Sequence, residues 1–316
     1  MESSSSQRPA ALCSSLPVDI QRVVGGQAFE TCDLLAVEEP LEIRISYLSR
    51  GVRRARTISV TMRTPGADRE LAAGFLFTEG LVQTRREILA THPCRQGNRM
   101  RVHLREGVVI DSRKLKRNFY TASSCGVCGK ASIDAVRVCV PARASGPEFS
   151  VSSQVVHRLP EILRTAQALF TQTGGLHACA LFSPTGELLC IREDVGRHNA
   201  LDKLIGHELL ADRVPLQQSI LLVSGRASFE LVQKAVMAGI PMLAAVGAPS
   251  SLAVRLAAEQ NMTLLGFVRQ ERFNIYCGEQ RILEAVPAPN TSAAGNAGRS
   301  EHSADLSENR LQPEEK

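Results

Sequence analysis

The sequence predicts an α/β protein in which a small α+β domain precedes a larger α/β domain. In the first half, several runs alternate apolar and polar residues, which is typical of strands with one buried face. In the second half, residues 219–268 alternate short apolar runs with helical patterns, which favours a largely parallel sheet covered by helices. Residues 141–150, rich in Pro, Gly, Ser and Ala, separate the two patterns.

These patterns divide the chain into four regions. Residues 1–18 and 287–316 contain few large apolar side chains, so they cannot bury enough surface to offset the loss of chain entropy on ordering. We therefore expect both tails to be disordered. Residues 19–140 form the predicted α+β domain, and residues 141–286 form the predicted α/β domain.

The elements of the first domain follow from the spacing of apolar residues. Alternation predicts strands at residues 41–47 and 58–62 and a third strand around Val102 and Leu104. Between the second and third strands, apolar residues at helical spacing predict a helix from Asp68 to about Thr78.

The second domain begins with a helical pattern around residues 162–170 and a hairpin around the turn Ser183 to Gly186. A further helix is expected after Gly196. The rest of the domain is predicted to alternate regularly: strand 219–224, helix 228–238, strand 242–246, helix 250–260 and strand 263–268.

Two loops of this alternating region, residues 224–228 and 246–250, follow predicted strands and open predicted helices. Ligands bind beyond the carboxyl ends of parallel strands, and free amide groups at helix starts can hold phosphate. A single glycine in such a loop more often only permits a tight turn. The two loops together, with Arg226, favour an anionic ligand.

Composition and charge exclude several classes of protein. Nine cysteines spread over 316 residues are odd in number, which argues against a secreted disulfide framework. We find no signal-peptide pattern and no apolar stretch of about 20 residues, so we expect a cytoplasmic protein without a membrane span.

The formal net charge of +5 is concentrated in basic segments at residues 50–56 and 95–117. Such segments attract anions, either the phosphates of a nucleotide-bearing ligand or an acidic partner protein. Nucleic acid is not expected as a partner, because these segments have almost no aromatic residues for stacking and the chain has no tryptophan.

The motif with the most chemical information is a C-x-x-C pair, Cys125 and Cys128, set among small residues and followed by Lys130. Two cysteines at this spacing can present a reactive thiolate, and a nearby lysine or helix start would stabilise it. The same spacing also occurs in redox dithiols and in half of a zinc site. The pair alone does not decide between these functions.

Five motifs together resemble one family. They are SSCGVCG at 123–129, TGGLH at 173–177, EDVGRHNALDKLIG at 193–206, SGRASFELVQK at 224–234 and LLGFVR at 264–269. In order and spacing they resemble the FdhD family of formate dehydrogenase accessory sulfurtransferases, over residues 20–285.

The resemblance implies a fold, an activity and site residues. The implied fold has a C-terminal domain like that of cytidine deaminases. The implied activity is transfer of sulfur from an IscS-type cysteine desulfurase to the molybdenum bis(guanine dinucleotide) cofactor of formate dehydrogenase, without a metal of the carrier's own. Cys125 would carry the persulfide, and Cys128 would share or release the sulfur. The family also suggests a homodimer. Its cofactor-binding segment aligns with Phe267, Val268, Arg269, Gln270, Glu271 and Arg272.

Two alternatives come from other classes. A zinc deaminase is suggested by the implied fold, but that chemistry needs H-x-E followed downstream by P-C-x-x-C, whereas here His177 lacks the glutamate. The other alternative is a non-catalytic cofactor-binding chaperone whose C-x-x-C holds structural zinc, with Cys179 and Cys190 completing the ligands.

The motifs suggest different roles for their histidines. Arg197 and His198 begin a helix beside a glycine turn and are candidates to face the cofactor. His177 and Cys179 are interpreted mainly as structural residues at a strand start.

Overall fold

Two larger β-sheets organise the part of the chain that the structure, a computed structural model, describes: residues 13–94, 97–108 and 149–283. Within these residues there are six α-helices. The described residues belong to one compact unit. The predicted α/β class is confirmed. The boundary at 140/141 and the tail 287–316 lie outside the described residues and stay predictions.

The chain enters the described structure through a long hairpin that the sequence did not predict. Strand β1, Ser15–Val24, pairs antiparallel with β2, Gln27–Ala36. The prediction of a disordered tail over 1–18 is therefore wrong from Ser15 onward, because pairing with β2 satisfies the backbone without a large buried side chain. The pair Gly25 and Gly26, both at positive φ, is the turn signal that could have revealed this hairpin.

The first half is a four-stranded sheet with one helix on its buried face. Its strands lie in the order β4-β3-β6-β5, with β3 and β6 parallel and the outer pairs antiparallel. Helix α1, Asp68–Thr78, has the predicted bounds. The strands are β3, Glu39–Ser49; β4, Val52–Arg63; β5, Ile88–Pro93; and β6, Arg99–Leu104.

The second half is a six-stranded sheet in the order β13-β12-β11-β10-β8-β9, in which β10, β11 and β12 run parallel. Its strands are β8, His177–Phe182; β9, Leu188–Asp194; β10, Ile220–Val223; β11, Met242–Ala245; β12, Thr263–Gly266; and β13, Asn274–Cys277. A short parallel pair, β7 Val151–Ser152 with β14 Ile282–Leu283, lies apart from it. The resemblance of the second half to cytidine deaminases stays a prediction.

Five helices accompany this sheet: α2, Ser153–Ala166; α3, Ala168–Thr173; α4, Arg197–Leu210; α5, Phe229–Met237; and α6, Ser251–Glu259. Both faces of β10, β11 and β12 are buried. One face, with Leu221 and Leu243, belongs to the core that includes α1, α4, α5 and α6. The other face, with Leu222 and Ala244, packs in a second core with α2. Burial on both faces explains why these strands are continuous apolar runs. No helix in the described ranges is long and apolar enough to cross a membrane.

Helices α1 and α4 join the two halves through a glycine at each contact point. A Cβ atom at Gly74 would lie 1.9 Å from the carbonyl oxygen of Asp202, and one at Gly206 would lie 1.9 Å from that of Glu70. The two helix backbones are thus in direct contact. This close approach also lets Asp202, which is buried, accept hydrogen bonds from Thr78 Oγ1 at 2.8 Å and Lys234 Nζ at 2.8 Å.

We predict that Gly74→Ala or Gly206→Ala lowers the free energy of unfolding by at least about 3 kcal/mol, because a methyl group cannot enter without separating the helices. Urea unfolding followed by circular dichroism measures the change. Gly175→Ala is the control, since its Cβ would meet the Ala36 Cβ at an ordinary 3.6 Å. Equal stability of the three variants would contradict the direct backbone contact.

Candidate functional site

Three loops lie side by side at the carboxyl ends of the parallel strands. They are residues 224–228 after β10, 246–250 after β11 and 267–270 after β12. Gly247 N donates to Gly225 O at 2.9 Å, and Phe267 N donates to Gly247 O at 3.1 Å. The three loops therefore form one hydrogen-bonded layer.

Glycine is required at the middle of this layer. A Cβ at Gly247 would lie 3.0 Å from Gly225 O, and one at Gly266 would lie 2.8 Å from the ring of Pro249. The loops can lie this close only because these positions lack side chains. Glycine in these loops thus permits close packing of one loop on the next, and an anionic ligand at their outer edge stays a prediction.

The segment predicted to bind the cofactor, residues 267–272, begins directly after β12. Its six members have different environments. Val268 is fully buried in the second core, so it anchors the segment. Phe267 is 39% exposed at a φ of 54°. Gln270, Glu271 and Arg272 are exposed, and Gln270 Nε2 donates to Glu161 at 3.1 Å.

Arg269 is the member of this segment that faces a cavity. Its Nη1 donates to the carbonyl oxygens of Val246 and Val268, both at 2.8 Å. These two bonds fix the guanidinium at the rim of the cavity. Within the described residues, Nε and Nη2 make no hydrogen bond, so that edge remains available for an anion.

The cavity, of about 670 Å³, lies between α2, residues 174–177 and the ends of β10 and β11. Among the described residues that line it, Arg164, His177 and Arg269 are basic and none is acidic. Apolar contacts are supplied by Pro160, Leu163, Phe170, Leu176 and Val246. An apolar cavity with basic groups and no carboxylate is suited to a ligand that combines a ring system with negative charge.

The structure places two histidines differently from what the sequence pattern suggested, while their roles stay predictions. His177, interpreted as structural, lines the cavity, and its pKa is lowered by burial and by the nearby Arg197. His198, the candidate to face the cofactor, is 6% exposed and contacts Ser228 Oγ at 3.4 Å. The start of α4 turns His198 inward, which the sequence pattern could not show. Arg197 lies near His177, and its buried Nε has no partner in the described part of the chain.

The motif at 193–206 mainly holds the two halves together. Buried Asp194 pairs with buried Lys203 at 2.7 Å and also accepts from Thr64 N at 3.2 Å. Lys203 Nζ donates to Thr64 O at 2.8 Å, and Asn199 Nδ2 donates to Met62 O at 2.7 Å. Polar residues in this motif therefore fix the end of β9 against β4.

The cysteine pair that the sequence predicts to be reactive, Cys125 and Cys128, lies outside the described residues, so its assignment stays a prediction. Cys179, proposed as a further zinc ligand, is buried, and burial raises the pKa of its thiol. Burial also raises the pKa of Cys190 to about 11.

Within the described ranges, one group has atoms close enough to share a metal ion: Cys190, His207 and Glu208. Arg192 contacts Cys190 and Arg213 pairs with Glu208, so this group is already part of an ion-pair network.

Comparison with known proteins identifies the family. The model of the FdhD/NarQ family matches residues 36–283. A protein named sulfur carrier protein FdhD from Mycolicibacterium paratuberculosis is 48% identical over 271 residues, covering 83% of this chain and 97% of the relative. The protein of the same name from Streptomyces avermitilis is 50% identical over 277 residues, covering 84% and 95%. The chain belongs to the FdhD/NarQ family.

A solved structure supports the fold. The crystal structure of a protein described as a formate dehydrogenase accessory protein, from Desulfotalea psychrophila, is 26% identical with a TM-score of 0.67. It matches 86% of this chain and all of its own.

We predict that Lys203→Met lowers the free energy of unfolding by about 3–5 kcal/mol, since it leaves the buried Asp194 carboxylate without its ion partner. Thermal or urea unfolding measures the effect. Arg99→Met is the matched control: Arg99 pairs with Glu42 at 2.7 Å, but its side chain is 42% exposed. The control should lose less than about 1 kcal/mol. Equal losses in both variants would show that burial does not set the strength of the Lys203 pair.

Proposed function

We propose that this protein is a sulfur carrier, a sulfurtransferase that takes part in formate dehydrogenase maturation. It accepts sulfane sulfur from an IscS-type cysteine desulfurase and transfers it to the molybdenum bis(guanine dinucleotide) cofactor as the acceptor substrate. Binding of this acceptor is supported by the cavity with Arg269 at its rim, which has no acidic residue among its described lining residues. The role as a sulfur carrier is supported by the names of its relatives.

The first transfer is a thiol exchange at Cys125. The Cys125 thiolate attacks the terminal sulfur of the desulfurase persulfide, the S–S bond of that persulfide breaks, and the desulfurase cysteine leaves as a thiolate. Cys125 then holds the persulfide, with no net oxidation. Exchange with the neighbouring Cys128 would share the same sulfur between the two residues.

The acceptor substrate is proposed to bind along residues 267–272. Arg269 offers its free edge and Arg272 its exposed guanidinium to phosphate groups, while Val268 keeps the backbone fixed. The apolar wall formed by α2 and Phe170 would contact a ring of the ligand. His177, with its lowered pKa, is neutral near pH 7 and would contribute a hydrogen bond rather than a charge.

We predict that Cys125→Ala abolishes sulfur loading, because no thiolate remains to attack the desulfurase persulfide. Mass spectrometry after incubation with desulfurase and cysteine should show one added sulfur atom on wild type and none on the variant. Cys139→Ala is the control and should load normally. A Cys125→Ala variant that loads sulfur and restores formate dehydrogenase activity in a strain lacking the native gene would refute the assignment.

Metal analysis of the same wild-type protein tests the chaperone alternative. Labile sulfane sulfur without bound metal supports the carrier. One tightly bound zinc per chain that is lost in Cys125→Ala would instead support a structural zinc site at the C-x-x-C.

We predict that Arg269→Ala combined with Arg272→Ala weakens GDP binding at least about tenfold, since each charge-assisted hydrogen bond contributes roughly 1.5–3 kcal/mol. Calorimetry measures the affinity, which should also fall as salt rises because exposed charges are screened. Arg86→Ala, an exposed arginine of the first half, is the control. Unchanged affinity in the double variant would place the anion elsewhere, first at the loop of Arg226.

A further inference from the structure

The outer face of the first sheet carries an excess of basic side chains. Leu41, Ile43 and Ile45 of β3 are at most 1% exposed and lie on the inner face, in the core with α1. The residues that alternate with them, and their partners across the strand ladders, lie on the outer face. The bases on this outer face are here called the basic patch: Arg44, Arg53, His92, Arg99, Arg101 and His103.

Basic residues lie directly opposite one another within the patch. Arg44 of β3 is paired in register with Arg101 of β6, and Arg101 is paired with His92 of β5. Like charges at directly paired positions are destabilising, whereas a surface that only keeps a protein soluble intersperses both signs. A row of three basic residues across three strands therefore indicates a negative charge supplied by a partner.

Acids in the described part of the chain do little to neutralise the patch. Glu42 is the one acid at the strand positions of this face, and it pairs with Arg99 at 2.7 Å. The same carboxylate is 3.9 Å from Arg44 Nε, which is too far for a hydrogen bond. The buried Nε atoms of Arg44 and Arg101 have no hydrogen-bond partner among the described residues. The patch therefore keeps an excess of positive charge.

The histidines show that the bases of different strands act on one another. The ring centroids of His92 and His103 are 5.6 Å apart. The pKa of His103 is lowered, first by burial and then by the positive charges of His92, Arg101 and Arg53. Arg53 lies on β4 at one edge of the sheet, and His92 lies on β5 at the other edge. The positive potential therefore extends across all four strands.

The size and composition of the patch identify its partner. Neighbouring strands are about 4.8 Å apart and residues rise about 3.3 Å along a strand, so the patch measures roughly 14 by 13 Å. That area accommodates several carboxylates, which is more than a single phosphate group offers. Phe, Tyr and Trp, on which the bases of a nucleic acid stack, are absent from the strand positions of this face. We propose that the basic patch binds an acidic segment of a partner protein.

A partner on this patch leaves the candidate site accessible. The inner face of the same sheet packs in the first core with α1 and α4. The cavity with Arg269 lies beyond the second sheet, on the side of α2. The acidic partner and the ligand of the cavity can thus bind at the same time, and the proposal does not depend on sulfur transfer.

Two adjacent arginines of β4 provide a matched test. Arg53 and Arg54 are both exposed, but Arg53 lies on the outer face opposite Leu48, whereas Arg54 lies opposite Tyr47, which packs against the first core. The probe is a labelled ten-residue peptide of alternating glutamate and glycine, and the same peptide with glutamine is its uncharged control. Fluorescence anisotropy measures binding of each peptide to the full chain.

Arg53→Glu should weaken binding of the glutamate peptide at least about tenfold, because an attraction becomes a repulsion. Arg54→Glu changes the net charge equally but should weaken binding less than about twofold, since charges more than about 10 Å apart are screened at 0.1 M salt. Arg101→Gln removes one charge from the centre of the patch and should weaken binding about fivefold. Thermal unfolding shows that each variant folds, and Arg101→Gln decides if Arg53→Glu does not.

Three results would each overturn the proposal. The first is a wild type that binds the glutamate peptide no more tightly than the glutamine peptide. The second is an equal effect of Arg53→Glu and Arg54→Glu. The third is tighter binding of a ten-nucleotide single-stranded DNA than of the glutamate peptide, which would assign the patch to nucleic acid. The measurement uses no sulfur donor, so binding at the patch and sulfur loading can fail separately.

Discussion

The contact between helices α1 and α4 is the constraint on which the rest of the structure depends. Gly74 and Gly206 let the two helix backbones touch, and no other pair of residue types would allow this distance. Once the helices are in contact, the polar groups around them can reach each other: Thr78 reaches Asp202, and Thr64 reaches both Asp194 and Lys203. Each of these bonds joins the two halves, since Thr64 and Thr78 belong to the first half and their partners to the second. The two halves of the sequence therefore stabilise each other and form one scaffold.

The same contact determines where the candidate site lies. Helix α4 follows directly after β9, so fixing α4 against α1 also fixes the end of β9 and the start of its neighbour β8. His177 is thereby held beside the loops that follow β10 and β11, and Arg197 is held near His177. Arg269 reaches the same cavity from β12. The cavity is thus assembled from segments distant in sequence that the sheet brings to one edge.

Most of the regular elements could be predicted from the sequence, because their burial is simple. Strands such as β10 and β11 are buried on both faces and appear as short apolar runs, and helix α1 has one buried face and was predicted with its observed bounds. The β1–β2 hairpin was missed because most of its side chains are exposed, although the alternation of Leu16, Val18 and Ile20 and the Gly25–Gly26 turn are both signals of a hairpin.

The site was predicted less completely. The sequence predicted that the two glycine loops and the segment 267–272 each follow a strand, and the structure shows that they are neighbours. It could not show that Val268 is a core residue, that His198 points inward or that His177 faces the cavity, since these depend on how β8, α4 and the loops pack. In the motif at 193–206, nothing in the local sequence shows that Asp194 and Lys203 form a buried ion pair rather than bind a ligand.

The complete burial of β10, β11 and β12 has a consequence for how the molecule opens. Amide hydrogens in such strands exchange with solvent mainly when the whole unit unfolds, whereas those of an exposed hairpin exchange through local opening. The candidate site is attached to the ends of these three strands. Fraying at the tip of the β1–β2 hairpin therefore leaves these strands folded, and the loops that follow them keep their positions in such partly opened states.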